Sequence, residues 1–290
     1  MAEEIRQILD AETLVDLDKL RQVGRYGVPD EIRGLTWKYL LGVETADKAN
    51  EISKRQAKYE KYQETERQST DILKRVRGEV SRYYRSRSGG SSKTPFQSQD
   101  PCKTMENVIS AYLSQFRGTA EYSPVMVYLS GPFAYLLSSE SDVFYCFASL
   151  MQMVEEYCSH VSMAMRLSEF LMLFRTLLPE LHNHFEEEEV DFKECASSWF
   201  NYVLAKELPL ECLLRLWDTY FSIPNGLNLH VYVCLAILTS LKDNLEELEQ
   251  SEIHGVLLRL PVLDMDHLIN QALAIRDEVL VKRLSEIESY

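Results

Sequence analysis

The residues best able to do chemistry in this 290-residue chain are few, and they carry charge rather than a nucleophile. Glu79 and Arg82 stand three apart in "VRGEVSRYY", Val76 to Tyr84. On a helix that spacing lets the carboxylate pair with the guanidinium and orient it. Arg75, Arg77 and Arg85 crowd the same stretch, and residues 51–93 carry 12 Lys and Arg against 6 Asp and Glu. The rest of the chain is strongly acidic, since the formal net charge of the whole is −14. A basic segment in an acidic body fits a local meeting with an anionic group, or a solvated helix face. So acidic a chain is a poor binder of phosphate backbones, and no nucleic-acid partner is expected.

Other constellations lead away from self-contained catalysis. His182 and His184 flank Asn183, and histidines two apart do not share a helix face. The glutamates at 186–189 beside them lack EF-hand spacing, so the run reads as a solvated turn and no metal is expected. No phosphate-cradling loop, nucleophile elbow or His-Glu-x-x-His motif is present. Met151, Met153, Met163, Met165 and Met172 read as adaptable core filling. The six cysteines form no C-x-x-C pair and mostly lie in apolar helical text, which fits buried thiols in a reducing compartment. The N-terminal "MAEEIRQILDAETL" is acidic and amphipathic, unlike a signal or transit peptide. No apolar run approaches the ~18 residues that span a bilayer. A cytoplasmic protein without a nucleophile or cofactor of its own is expected.

The elements that would position these residues read as helices almost throughout. Gly and Pro are sparse, at 11 and 9, and no alternating strand pattern of any length appears. Short helices are expected to residue 23. A further helix opens after Pro29, where Asp30 and Glu31 suit its first turn, and Gly42 is a plausible stop. Residues 47–85 read as one or two polar surface helices, and "SRSGGSSKTPFQSQDP", 86–101, as a flexible loop. Helical text then runs to the end, including "DVFYCFASLMQMVEEYC", a long segment to the acidic turn near 186–189, and two helices meeting at Pro209. The fold is predicted to be all-α, an irregular packing of many helices.

Three stretches together resemble the TBC domain, the helical domain of GTPase-activating proteins for Rab-type small GTPases. "YGVPDEIRGLTWKYLLG" is similar to the family's opening helix, with Arg33, Trp37, Leu40, Leu41 and Gly42 in its R-x-x-x-W-x-x-L-L-G places. "SSWF" with "ELPLECLLRLWD" is similar to its C-terminal lobe, with Trp199, Leu208, Pro209, Trp217 and Asp218 in recognisable places. These residues are expected to be structural, Asp218 as a buried polar anchor that needs a partner. In "VRGEVSRYY", Val76, Glu79 and Arg82 fall where the family has I-x-x-D-x-x-R. The resemblance implies two helical lobes over 20–285, divided near 165, after an N-terminal helical extension, 1–19. It also implies that Arg82 is the catalytic arginine finger and Glu79 its orienting carboxylate.

The family's second finger is the glutamine of Y-x-Q-G-M, which can donate to phosphate and accept from water. The corresponding letters here are Tyr122, Ser123, Pro124, Val125 and Met126. Proline has no side-chain donor or acceptor and no backbone N–H, and Val125 adds bulk where the family has glycine. Gln115, Gln97 and Gln99 are the nearby amides. The resemblance therefore implies an atypical member in membrane trafficking. It would be an activator supplying Arg82 in trans to a Rab-type GTPase that keeps its own glutamine. The alternative is a scaffold that holds a GTPase or a multiprotein complex without accelerating hydrolysis, or a helical interaction protein with no GTPase partner. GTP and Mg²⁺ would belong to the partner, whose lipid tail would bring this chain peripherally to a membrane.

Overall fold

A computed structural model describes residues 2–65, 70–88 and 100–288. Among them the only regular elements are helices, as the sequence predicts: α1 (Ala2–Leu9), α2 (Leu17–Gly24), α3 (Asp30–Leu40), α4 (Glu51–Glu64), α5 (Thr70–Ser88), α6 (Pro101–Gln115), α7 (Val125–Leu136), α8 (Glu140–Ser159), α9 (Met163–Leu177), α10 (Pro179–Glu187), α11 (Phe192–Asn201), α12 (Leu210–Ser222), α13 (His230–Leu245), α14 (Gln250–Leu258) and α15 (Met265–Glu288), with a 3₁₀ turn at Gly226–Leu229. None of the described helices is long and apolar enough to cross a membrane. Both ends of the loop predicted at 86–101 are helical, since α5 continues to Ser88 and α6 starts at Pro101. The rest of that stretch, 89–99, lies outside the described residues.

The chain forms two compact units, Met1–Glu155 with Trp217–Pro224, and Glu156–Leu216 with Asn225–Tyr290. The first is organised by α3. Pro29 precedes its first turn with no N–H to waste, and Gly42 follows its end at φ +71°, giving its N–H to the Tyr39 carbonyl. Trp37 is fully enclosed, edge-on to Phe133 and Phe221 and 6.1 Å from the Trp217 ring. Beneath this cluster lies the carboxylate of Asp218, with no exposed surface. It accepts from Val28 N–H at 2.8 Å, Arg33 Nε at 3.1 Å and Trp37 Nε1 at 2.7 Å. Arg33 is itself buried and also donates to the Val28 carbonyl and to Asp30. Burial pushes the Asp218 carboxyl up to about 6, while Arg33, Val28 N–H and Trp37 pull it back down.

The second unit is built on aromatic packing around Trp199. Phe170, Phe174, Phe185, Phe192 and Phe200 share ring contacts, Phe192 meets Trp199 edge-on, and Trp199 Nε1 donates to the Leu257 carbonyl at 2.8 Å. Pro209 lies just before α12, and its carbonyl accepts from Leu213 N–H. The long helical run expected up to the 186–189 turn divides at Leu178, with Pro179 opening α10. Helix α11 ends at Asn201, well before Pro209. The chain then turns through Val203 and Leu204, both left-handed at φ +50° and +61°.

His230 of this unit is fully buried, its Nε2–H donating to the Trp199 carbonyl at 3.1 Å. Burial lowers its pKa from 6.5 to about 4, against the pull of that bond. The folded chain therefore holds His230 neutral while the unfolded chain takes up a proton below 6.5. The resulting stability is complete above pH 6.5 and is lost as pH falls toward 4. Relative to His230→Gln, which keeps a donor for Trp199, the parent is expected to lose about 2 kcal/mol between pH 7.5 and 5. The check is the difference between parent and variant in urea midpoint at the two pH values, which cancels every other titrating group.

Candidate functional site

Helix α5 carries the arginines, and its periodicity sorts them. Val76, Val80 and Tyr83 are fully buried and fix the inward face. At 100° per residue, Arg77 falls on one flank and Arg75, Glu79 and Arg82 on the other. Arg77 makes a two-pronged contact with Glu106 of α6, Nε to Oε1 at 3.1 Å and Nη2 to Oε2 at 3.0 Å. Arg85 turns back to the Ser81 carbonyl, and Arg87 lies over the Tyr83 ring. On the opposite flank the Arg82 side chain is 64% exposed, and both its Nε, at 3.0 Å, and its Nη2 donate to Glu79 Oε2. The Glu79 side chain is only 11% exposed, so the carboxylate is nearly enclosed while the guanidinium paired with it stays accessible. That hydrogen bond, followed by the Glu79 charge, raises the Arg82 pKa further above its ordinary value.

The flank bearing Arg75 and Arg82 adjoins the start of α7. Arg82 lies within electrostatic reach of the Tyr128 and Tyr122 phenols, and the Arg75 guanidinium stands over the Tyr122 ring, 5.2 Å from its centroid. Pro124 is exposed at φ −54°, immediately before Val125, the first residue of α7. A proline suits that place, because a helix's first N–H groups have no partner within the helix. Val125 is half-buried, Met126 is buried at 4% exposure, and Tyr122 is half-buried. The structure thus brings Glu79, Arg82, Tyr122 and Pro124 into one region of the first unit. Gln115 is the exposed last residue of α6, and Gln97 and Gln99 lie outside the described residues. His182 and His184 are elsewhere, the latter donating to the Leu248 carbonyl at 3.0 Å. A separate cleft of about 520 Å³, lined by Lys58, Tyr112, Phe116, Tyr145 and Glu155 among others, holds none of these site residues.

Two residues that the sequence reading passes over set the spacing of α5 and α7. Tyr83 is buried and meets the Tyr128 ring edge-on at 5.4 Å. A Cβ on Gly131 would stand 2.2 Å from Tyr83 Cζ and Oη, so only glycine lets this ring lie against α7. The sequence signal is a glycine inside apolar helical text, where its propensity cost needs a packing reason. Gly131→Ala is expected to cost roughly 1–3 kcal/mol by overpacking, more than the helix propensity it gains. Adding Tyr83→Leu, which removes the clashing atoms, is expected to recover part of the loss. Urea midpoints of the two single variants and the double variant complete the cycle.

The Rab-GTPase-TBC domain family model matches residues 30–246. TBC1 domain family member 22B of Homo sapiens is 25% identical over 308 aligned positions, covering 94% of this chain and 59% of that protein. The GTPase-activating protein gyp1 of Schizosaccharomyces pombe is 25% identical, covering 89% of this chain and 56% of that protein. This chain therefore spans little more than half the length of these relatives. Among solved structures, the Ypt/Rab-GAP domain of Gyp1p superposes with a TM-score of 0.74 at 21% identity, covering 96% of this chain and 98% of that one. The Chlamydomonas flagellar RabGAP TBC domain gives 0.60 at 20% identity, with 88% and 83% covered. At those identities the structural likeness speaks for the fold.

Proposed function

The chain belongs to the Rab-GTPase-TBC domain family, and from that premise we propose that it activates a Rab-type small GTPase, with Arg82 supplied in trans as the catalytic group. The observation that carries this reading is the exposed Arg82 guanidinium, held by the nearly enclosed Glu79 beside the start of α7. GTP hydrolysis by such GTPases is slow because charge developing on the transferred phosphoryl group is poorly stabilised and the water is poorly placed. A guanidinium reaching the phosphates supplies the first need. GTP and Mg²⁺ come with the partner. Glu79 is a positioning residue, which limits the conformational freedom Arg82 must lose on contact.

Pro124 offers nothing for the second need, since it has neither donor nor acceptor on its side chain. Placing the water then falls to the GTPase's own glutamine. The activator is therefore selective for partners that retain that residue. The lipid tail of the partner brings this chain to a membrane surface as a peripheral protein. A second reading is favoured by the same residues: with Pro124 and Val125 in place of the finger, the region serves as a docking surface. The chain then holds a GTPase, or a larger complex, without accelerating it.

Single-turnover GTP hydrolysis across a panel of Rab GTPases, each tested also with its own catalytic glutamine changed to alanine, separates the two. Acceleration of the unmodified GTPase, lost in the glutamine variant, is the expected result. Binding to GTP-loaded partner with no acceleration of any member would leave the docking reading.

A further inference from the structure

Only one of the arginines neighbouring Arg82 shares its flank of α5. Arg77 is taken up by Glu106, Arg85 by the Ser81 carbonyl, and Arg87 lies on Tyr83. Arg75 is exposed, and no carboxylate among the described residues pairs with it. It stands seven residues before Arg82, two turns or about 10 Å along the same side of the helix. Its guanidinium lies over the ring of Tyr122, two residues before Pro124, at 5.2 Å from the centroid. A cation–π contact restrains a guanidinium while leaving its N–H donors available. The flank thus presents two cations, one oriented by a carboxylate and one by an aromatic ring, next to the segment that lacks an amide donor.

We propose that Arg75 is a second partner-facing guanidinium, which grips an anionic or carbonyl group of the GTP-loaded GTPase while Arg82 addresses the reacting phosphates. The identity of the partner rests on the activator reading; the pairing of the two arginines on one flank does not. A guanidinium has five donors and no acceptor. Arg75 can therefore replace the donating half of the missing glutamine and cannot place the water. It belongs to recognition rather than to the chemical step, and the kinetics should divide accordingly.

The test uses the full chain and its Arg75→Ala, Arg75→Lys and Arg82→Ala variants. Hydrolysis is followed in single turnover at rising chain concentration, and affinity is measured for each Rab of the panel loaded with GDP and aluminium fluoride. Arg75→Ala is expected to raise the half-saturating concentration and the dissociation constant about 10- to 100-fold, the range of a charge-assisted contact, with the saturating rate within about threefold of the parent. Arg75→Lys should recover part of the affinity, because it keeps the charge and loses the planar five-donor fork. Arg82→Ala should show the converse pattern. Thermal melts expose a merely structural role, in which Arg75→Ala would lower stability and leave binding per folded molecule intact. Unchanged affinity and half-saturation in Arg75→Ala overturn the proposal and leave the activator reading standing. Arg75-dependent binding without acceleration by the parent does the reverse. No binding to any member of the panel overturns both.

Discussion

Replacing Arg82 with alanine is expected to cut the saturating single-turnover rate of GTP hydrolysis by roughly 10³-fold or more, with little change in half-saturation. The size follows from the role proposed for the guanidinium. On the proposed reading it meets charge that appears only as the phosphoryl group transfers, so its loss would fall on the chemical step and not on binding. The helix should survive the change, because the side chain is 64% exposed and its only described partner is Glu79 on the same helix. Arg82→Lys is expected to recover little, since a compact ammonium lacks the fork that spans two oxygens. Glu79→Gln should produce a milder loss of about tenfold, by weakening the bond that holds the guanidinium in place. A parental rate in Arg82→Ala would remove α5 from the catalytic role.

Asp218→Ala is expected to destabilise the first unit by roughly 3–5 kcal/mol. The carboxylate accepts from Val28 N–H, Arg33 Nε and Trp37 Nε1, all enclosed with it. Truncation leaves a guanidinium, an indole N–H and an amide facing an apolar cavity, and each buried orphan is costly. Asp218→Asn should fare almost as badly, because its amide group must point a donor at one of three donors. Changing both charges together, Arg33→Met with Asp218→Leu, should cost less than either single change, since it leaves no uncompensated charge. Urea unfolding followed by tryptophan fluorescence is a direct readout, because Trp37 and Trp217 flank the anchor. Equal stability of parent and Asp218→Ala would mean that the pair stabilises nothing.

The sequence is most legible where a local rule coincides with the tertiary answer. The all-α class follows from sparse breakers and helical periodicity. The start and stop of α3 follow from Pro29, Asp30 and Gly42, each of which has a backbone reason. The end of α11 is a different matter. Val203 and Leu204 adopt left-handed conformations that β-branched and bulky residues avoid, with no glycine to announce them. They are held there by burial and by Leu204 N–H donating to the Trp199 carbonyl, neither visible in the local letters. Gly131 lies inside α7, ahead of Pro132, and its reason is the Tyr83 ring packed against it, which the local letters do not show. The Glu79–Arg82 spacing could be read from the chain alone. The sorting of the surrounding arginines could not, because it depends on Glu106, 29 residues beyond Arg77, and on Tyr122. Likewise, Asp218 can be suspected as an anchor from its type, whereas Arg33, 185 positions away, can be identified as its partner only in three dimensions.

That separation has a consequence for how the protein is made. Arg33 and Trp37 emerge well ahead of the carboxylate they enclose, which belongs to Trp217–Pro224, a short segment arriving after residues 156–216 of the other unit. At ~5–20 residues per second the interval is roughly 10–40 s. For that time a nascent chain holds a cation and a tryptophan with their intended surroundings still unwritten, which makes it a natural client for chaperones. The first unit is thus discontinuous in the gene though continuous in space. A fragment ending at Leu216 contains most of its helices and lacks its keystone.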